Sequence, residues 1–553
     1  MSIFTDVTQE NKFPKGTEMQ NVADVIIKQL QLWGVKRIYG VIGDAIFGLM
    51  DGLARQNDLE WIGVKHESVA AMMASAEAKL TGRIAVCATQ MGPGLTNLIT
   101  GLGDAYLDGV PLLAISGQAP TRKIGTAYKQ FIDQQGLVQA VTGLSRLVIH
   151  PDAVVDSLTE AMFTAVDQTT PVHLSIPSDL WTLPCGVTPR EPVRIANQAI
   201  GSEQIRQAAN LMLAAKRPMI LVGNRARSAG DMVRKLADAW GCGIVMSYGA
   251  KGIIAHSHPY QLDGLGEGGN PFASDLFKQS DFVLAIGTSW WPEHKVPEHA
   301  QVIHIEERTS MLGKVIPSQF GIAGNIAEIV QALTEGLRDY RSHPDWLQLV
   351  NQCKQAWNDQ NNLERAITSS PLHPAAIVGA IEQTMDNDAI IALDEGDVTL
   401  WLLRNFRGTT QQLVLSERWR TMGFGLPSAM AAKCSYPNRQ VVCVTGDGGL
   451  GMVQADLITA ARYGFPITVV VFNNGTLQME QDKMMMKRLS TFGPEISNPN
   501  FVQIAEASGW VAKRAKSIDE LRTALEEAKL ISKPYLIDVP TANITHPDFQ
   551  TQK

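Results

Sequence analysis

The sequence predicts an α/β protein built of three doubly wound parallel-sheet domains. Short β-branched runs alternate with stretches whose apolar residues recur at helical spacing, and many of the runs stop at glycine-rich turns. That alternation is what parallel strands joined by crossover helices produce. The second observation is length, since 553 residues leave room for three domains of ordinary size, each with its own core. The expected boundaries are 1–188, 189–345 and 346–553.

In chain order, residues 19–33 put Val22, Ile26, Leu30 and Trp33 on one face and end at Gly34, an amphipathic helix closed by glycine. Strands are expected at 37–41, 61–64, 84–89 and around 112–115. The first three run into Gly43-Asp44, Lys65-His66-Glu67 and Gly92-Pro93-Gly94. Residues 189–203, polar and proline-containing, read as a linker. A second strand set follows at 218–222, 281–286 and 301–305, running into Gly223, Gly287-Thr288 and Glu306-Glu307. This unit either binds an adenine nucleotide or is structural.

Residues 343–370 are polar and partly helical, a second connector. The third domain opens with a helix at 375–384, a strand at 389–393 and the turn Asp394-Glu395-Gly396. Next come the glycine-rich stretch 420–427, a strand at 441–444, the turn Gly446-Asp447-Gly448-Gly449 and a helix over 450–463. A strand at 467–472 then delivers Asn473 and Asn474, helix and strand alternate again from 501 to 539, and 548–553 form a polar tail.

A net charge of −7 provides no basic field for nucleic acid and no polybasic membrane patch. Six cysteines without CxxC spacing read as buried free thiols in a reducing compartment, against zinc and against a disulfide framework. Residues 1–18 lack the apolar core of a secretory signal, and no run is long enough to cross a bilayer. A cytoplasmic protein without stable membrane insertion is expected.

The chemistry concentrates at 440–476. Glycines flanking a carboxylate let backbone approach a diphosphate, and ligands of open α/β sheets collect at the carboxyl ends of the strands. A hard cation wants oxygen ligands, and the Asp447 carboxylate, the Asn474 amide oxygen and the Thr476 carbonyl would supply three positions for Mg²⁺. The span from Asp447 to Asn474 resembles the cofactor motif of thiamine-diphosphate-dependent enzymes. Gly40-Val-Ile-Gly-Asp44, Lys65-His-Glu67 and Gly92-Pro-Gly94 resemble, in order and spacing, the pyrimidine-binding domain of the same family.

The resemblance implies a pyrimidine-binding first domain, a central domain and a diphosphate-binding third domain. It implies that Glu67 is the acid/base that activates thiamine diphosphate, while His66 packs. Gly43, Gly92, Gly396, Arg420, Met422, Gly446, Asp447, Gly448, Gly449, Asn474 and Leu477 would then border the cofactor, and Mg²⁺ would sit on Asp447, Asn474 and Thr476.

Within the family the chain is similar to the branch of pyruvate oxidases and acetohydroxyacid (acetolactate) synthases. There the central domain binds FAD, and Gly223, Arg227, Gly264, Gly287 and Thr288 stand where its loops would meet it. The family's second glycine is Asn224 or Arg225 here, and Glu306-Glu-Arg-Thr309 replaces its acidic segment. Two loops matching the substrate pocket also depart from the branch, with Lys129 beside Gln130 and with Met479, Glu480 and Lys483 after the Asn pair.

The implied function is thiamine-diphosphate- and Mg²⁺-dependent decarboxylation of a 2-oxo acid, pyruvate first, of pyruvate oxidase type. The alternatives are an acetolactate synthase-type carboligase, an acetyltransferase acting on an anionic aldehyde, and a non-catalytic relic of the fold. Family members place their active sites between subunits, so a homodimer or homotetramer is implied.

Overall fold

A computed structural model describes residues 20–193, 200–292, 297–338, 340 and 342–550. Eighteen named strands fall into three sheets of six, and every pair of neighbouring strands in them is parallel. In the first sheet, Arg37–Gly40, Glu60–Gly63, Ala85–Thr89, Leu112–Gln118, Leu144–Leu147 and Pro171–Pro177 (β1 to β6) lie in the order β2-β1-β3-β4-β6-β5.

The central sheet holds Pro218–Val222, Gly243–Met246, Gln261–Gly264, Phe282–Ile286, Gln301–Glu306 and Phe320–Ala323 (β7 to β12), ordered β12-β11-β10-β7-β8-β9. Counted from its own first strand, this is the order 3-2-1-4-5-6 of dinucleotide-binding sheets. In the third sheet, Ile390–Leu393, Gln412–Val414, Val441–Gly446, Thr468–Asn473, Val511–Arg514 and Tyr535–Pro540 (β13 to β18) repeat the first sheet's order as β14-β13-β15-β16-β18-β17.

Local chemistry accounts for several boundaries. The first helix begins at Val22, because Asn21 and Asp24 form a reciprocal capping box, and Gly34 beyond its end takes φ +78°. The expected start at residue 19 lies outside the described residues. The single helix expected over 450–463 is broken into Asp447–Val453, a short 3-10 turn and Leu457–Arg462. At the break, Asp456 Oδ1 accepts the Lys65 N–H at 2.9 Å and the Thr459 hydroxyl at 2.7 Å, which gives the interruption a role between domains.

Two expected connectors also differ. Of 189–203, the stretch 194–199 lies outside the described residues, and a helix already starts at Ser202. The polar stretch from 343 contains a continuous helix, Pro344–Arg365, so the expected boundary at 345/346 falls within its first turn. Trp346, Val350, Cys353 and Trp357 make an apolar stripe along it at helical spacing. The Trp346 and Trp357 indoles donate to Pro218 O at 3.0 Å and Asp263 Oδ2 at 2.9 Å, while Glu364 receives Arg404 of the third domain. Each buried tryptophan contributes stabilisation on the order of 2–3 kcal/mol from apolar area alone. The helix therefore rivets the central domain to the third.

The first and third domains share one apolar core. Val69 and Met73 of helix Glu67–Thr81 belong to it together with Phe424 and Met430, the latter on helix Gly425–Ser435. Hydrogen bonds from Arg37 Nη2 to Cys434 O (2.9 Å) and from Gly63 N to the Tyr463 hydroxyl (2.7 Å) cross the same seam. Among the described residues, no helix is long and apolar enough to cross a membrane.

Candidate active site

In the third domain the carboxyl ends of β13, β15 and β16 converge on a cavity of about 240 Å³. Asp394 gathers the turns around it. Its Oδ1 accepts Gly423 N and Glu395 N, both at 2.8 Å, and its Oδ2 accepts the Thr445 hydroxyl at 2.7 Å. A Cβ on Gly449 would lie 2.7 Å from Asp394 Oδ2, so only glycine lets the turn close here.

Asp447 is the first residue of its helix and is nearly fully buried. Its Oδ2 accepts Gly475 N and Asn498 Nδ2, each at 2.6 Å, and its Oδ1 accepts Gly448 N at 3.0 Å. Burial pushes its carboxyl above the ordinary range and these donors pull it back. Asn474 Oδ1 accepts Thr476 N at 3.1 Å.

Gly396, Arg420, Met422, Gly446, Asp447, Gly448, Gly449, Asn474, Thr476 and Leu477 all border this one cavity. Met422 Cε and Leu477 Cδ2 flank Gly448, each 3.1 Å from where a Cβ would stand. A Cβ on Gly396 or Gly446 would meet nothing within 4 Å, so backbone there faces open space. A carboxylate, an amide oxygen and a carbonyl around bare backbone suit a metal-bound diphosphate.

The rest of the wall mixes apolar and charged side chains. Met479, Glu480 and Lys483 line it on helix Gln478–Met486, with Lys483 Nζ 3.2 Å from Glu480. Glu395 and Asp397 flank Gly396, and burial pushes their carboxyls up to about 7 and about 8; Arg420 opposes the first shift and Asp482 adds to the second. The helix is held from behind by Asp482, which accepts Gln478 Nε2 at 2.7 Å and His546 N at 2.9 Å. The expected polar tail is thus packed at its start, with Phe549 buried and Asp548 Oδ2 accepting Gly268 N at 2.5 Å.

The first domain carries a separate group. Glu67 opens its helix and accepts Asn97 Nδ2 at 2.9 Å, while His66 caps the same helix by accepting Ser68 N. Gly92, at φ +61°, turns the chain into helix Pro93–Asp108. A Cβ on Gly43 would collide with Gln90, whose amide nitrogen donates to Asp44 (2.6 Å) and Gln130 (2.9 Å).

Lys129 is 61% exposed and paired with Asp44 at 2.8 Å. The five expected pocket residues therefore split, with Lys129 and Gln130 beside Asp44 and the other three on the third-domain cavity. Glu67 is not on that cavity's lining either. Within one chain the expected residues form two separate groups.

Between the domains lies a larger cleft of about 610 Å³, bordered by Arg225, Arg227, Gly287 and Thr288 of the central domain and by Glu417 of the third. Arg225 is held bidentately by Glu306. Arg227 donates to Gly249 O at 2.8 Å but keeps a buried Nε without a partner, and burial pulls its guanidinium down to about 10. Two residues expected here lie elsewhere. Gly264 borders a small void near Met246 and Lys251, and Gly223 packs on Gly287 O and Thr288 too closely to admit a Cβ.

Sequence reasoning missed Asn498, the tie made by Asp394, and Glu395 with Asp397. Glu395 and Asp397 flank the expected Gly396, a position that could have drawn attention to them; Asn498 had no motif to signal it.

Three family models match the chain: the N-terminal TPP binding domain of thiamine pyrophosphate enzymes at 20–137, their central domain at 205–333 and their C-terminal TPP binding domain at 394–539. A Bacillus subtilis protein, YdaP, described only as thiamine pyrophosphate-containing, is 33% identical over 93% of this chain and 90% of its own. Pyruvate oxidase of Lactiplantibacillus plantarum is 30% identical over 95% and 89%. The large subunit of acetolactate synthase isozyme 3 from Escherichia coli is 29% identical over 92% of each chain. The chain belongs to the thiamine pyrophosphate enzyme family, in the branch of pyruvate oxidases and acetolactate synthases, and is a thiamine-diphosphate-dependent enzyme.

Proposed function

We propose that the enzyme decarboxylates a 2-oxo acid, pyruvate first, and passes the remaining two-carbon unit to an acceptor in the manner of a pyruvate oxidase. The observation that carries this reading is the convergence of Asp447, Asn474 and Thr476 with a bare glycine turn in one cavity. Thiamine diphosphate, when bound, supplies the nucleophilic carbon and the electron sink. Asp447, the Asn474 amide oxygen and the Thr476 carbonyl would hold Mg²⁺, with Gly446 to Gly449 against the phosphates. Met422 and Leu477 present apolar surface that keeps water from the reacting end. Glu67 would hold or release a proton at the pyrimidine end.

Because Glu67, Lys129 and Gln130 lie apart from the third-domain cavity of the same chain, the complete site requires a second copy. A homodimer or homotetramer meets that requirement. The central sheet's strand order and the partnerless Arg227 Nε support a dinucleotide in the interdomain cleft, FAD by the family's precedent. If so, the purified protein is yellow and releases flavin on denaturation. The buried free cysteines support a cytoplasmic setting.

A second reading, a carboligase or an acetyltransferase acting on an anionic aldehyde, is favoured by Lys483 and Arg420 on the cavity wall. Product analysis after incubation with pyruvate, inorganic phosphate, thiamine diphosphate and Mg²⁺, with and without an artificial electron acceptor, separates the readings. Acetate or acetyl phosphate made only with the acceptor supports the oxidase, and acetolactate supports the carboligase. A purified protein that binds no thiamine diphosphate would revive the non-catalytic relic.

A further inference from the structure

Among the described residues, Arg420 alone borders both the cofactor cavity and the interdomain cleft. It is also one of the few non-glycine residues in the left-handed region, at φ +54°. Strain of this kind persists where surrounding structure imposes it, and it clusters at ligand clamps. The guanidinium reaches Glu267 of the central domain through Nη1 at 3.1 Å. Its Nε lies 2.8 Å from Glu395 Oε1, close enough for charge attraction but misaligned, so both atoms are buried without a hydrogen-bond partner. Nη2 is likewise buried and has no partner.

Guanidinium nitrogens that are buried with one unpartnered and another only ion-paired are costly unless a ligand supplies better acceptors. The planar fork matches a carboxylate or phosphate, which takes two parallel hydrogen bonds from it. Lys483, on the same cavity, adds a second cation, which Glu480 holds only at the exposed rim. Which reactant the clamp serves follows from the chemistry. A 2-oxo acid donor loses its carboxylate, and an ion pair that held that group firmly would stabilise the ground state against decarboxylation. An anionic group on the acceptor survives into the product, and holding it costs the reaction nothing.

We propose that Arg420 determines acceptor specificity: its open donors, with Lys483, bind the oxyanion of the second substrate, in competition with Glu395. This rests on the cofactor reading above and narrows it. The acceptor is either inorganic phosphate or a molecule bearing a carboxylate.

The test uses the full-length protein loaded with thiamine diphosphate and Mg²⁺, titrated calorimetrically with inorganic phosphate and, separately, with acetate. Arg420→Gly suits the backbone, since glycine takes a positive φ without strain, so its melting temperature should hold or rise. Its affinity for the preferred probe should fall about tenfold or more, with Arg420→Lys in between. Glu395→Gln removes the competitor and should tighten the same probe. Activity should follow, with the acceptor KM rising in Arg420→Gly far more than the donor KM. Whichever probe loses more identifies the acceptor's anion.

Unchanged binding of both probes in Arg420→Gly would overturn the proposal. So would weaker binding in Glu395→Gln, the sign expected of a merely structural pair, and so would a loaded parent protein that binds neither probe. If the parent protein fails to bind thiamine diphosphate itself, the cofactor reading falls first and takes this inference with it.

Discussion

The first and third domains are laid out alike, with six parallel strands in the same order, yet the turns at their strand ends carry different chemistry. After β15 and β16 the third domain presents a carboxylate, an amide and glycine backbone to one cavity. In the first domain, the turns after β1, β2 and β3 present Asp44, Glu67 and Gly92, with Gln90 bridging Asp44 to Gln130. The sheet fixes where side chains emerge and the turns fix what they do. A cofactor with an anionic end and a basic ring can use both ends of such a pair.

Replacing Asp447 tests the anionic end most harshly. Asp447→Ala should weaken Mg²⁺-dependent binding of thiamine diphosphate by about three orders of magnitude, as loss of a buried charged ligand does; calorimetry showing normal affinity would break the comparison outright. Glu67→Gln should leave that affinity nearly intact while slowing proton exchange at the cofactor's reactive carbon by about 10²–10⁴-fold, read by NMR in deuterated water. Equal losses in binding and exchange would mean that the two domains do not divide the labour.

A smaller change should follow Asn498→Ala. Its amide holds Asp447 Oδ2 and, at 3.1 Å, Asn473 Oδ1, so it orients the carboxylate rather than supplying a ligand. Mg²⁺ affinity should fall about 10–100-fold, measured by titration of the cofactor-free protein with metal and cofactor.

Glu395 sharpens the contrast through pH. Burial raises its folded value from the usual 4.5 to about 7, so the folded state holds the proton more tightly than the unfolded state does. Its contribution to stability is favoured at low pH and falls as pH climbs from 4.5 through about 7, with the flanking charges of Arg420 and Lys483 opposing the shift and Asp394 adding to it. Glu395→Gln should flatten that segment of the melting-temperature profile. Least of all should Lys129→Ala alter unfolding, since its ion pair with Asp44 is exposed. A clear drop in melting temperature would instead show that a second copy covers it.

Much of this architecture is legible in the sequence. A glycine turn at a strand end is built from consecutive residues, so Gly446 to Gly449 is legible as a turn, and the spacing to Asn474 is that of one crossover between adjacent parallel strands. The turns that carry Glu67 and Gly92 are legible for the same reason. Asn498 is not, because it returns to Asp447 from 51 positions away across a loop with no periodicity. Helix Pro344–Arg365 is masked by its polar composition, although the stripe from Trp346 to Trp357 recurs at helical spacing. Lys129 and Lys483 stand in segments that match one pocket in the family, but the fold puts Lys129 in a first-domain loop beside Asp44 and Lys483 on helix Gln478–Met486 at the third-domain cavity, a separation that spacing along the chain does not reveal.

The turn Pro547–Phe549 carries one more implication, for anyone handling the protein. His546 and Asp548 clip the cavity helix to the loop at Gly268, and the buried Phe549 ring anchors the clip. Trimming those residues, or fusing an affinity handle hard against them, would loosen the helix that lines the cavity without altering any residue of its lining. A spacer there, or a handle at the opposite terminus, is the safer engineering choice.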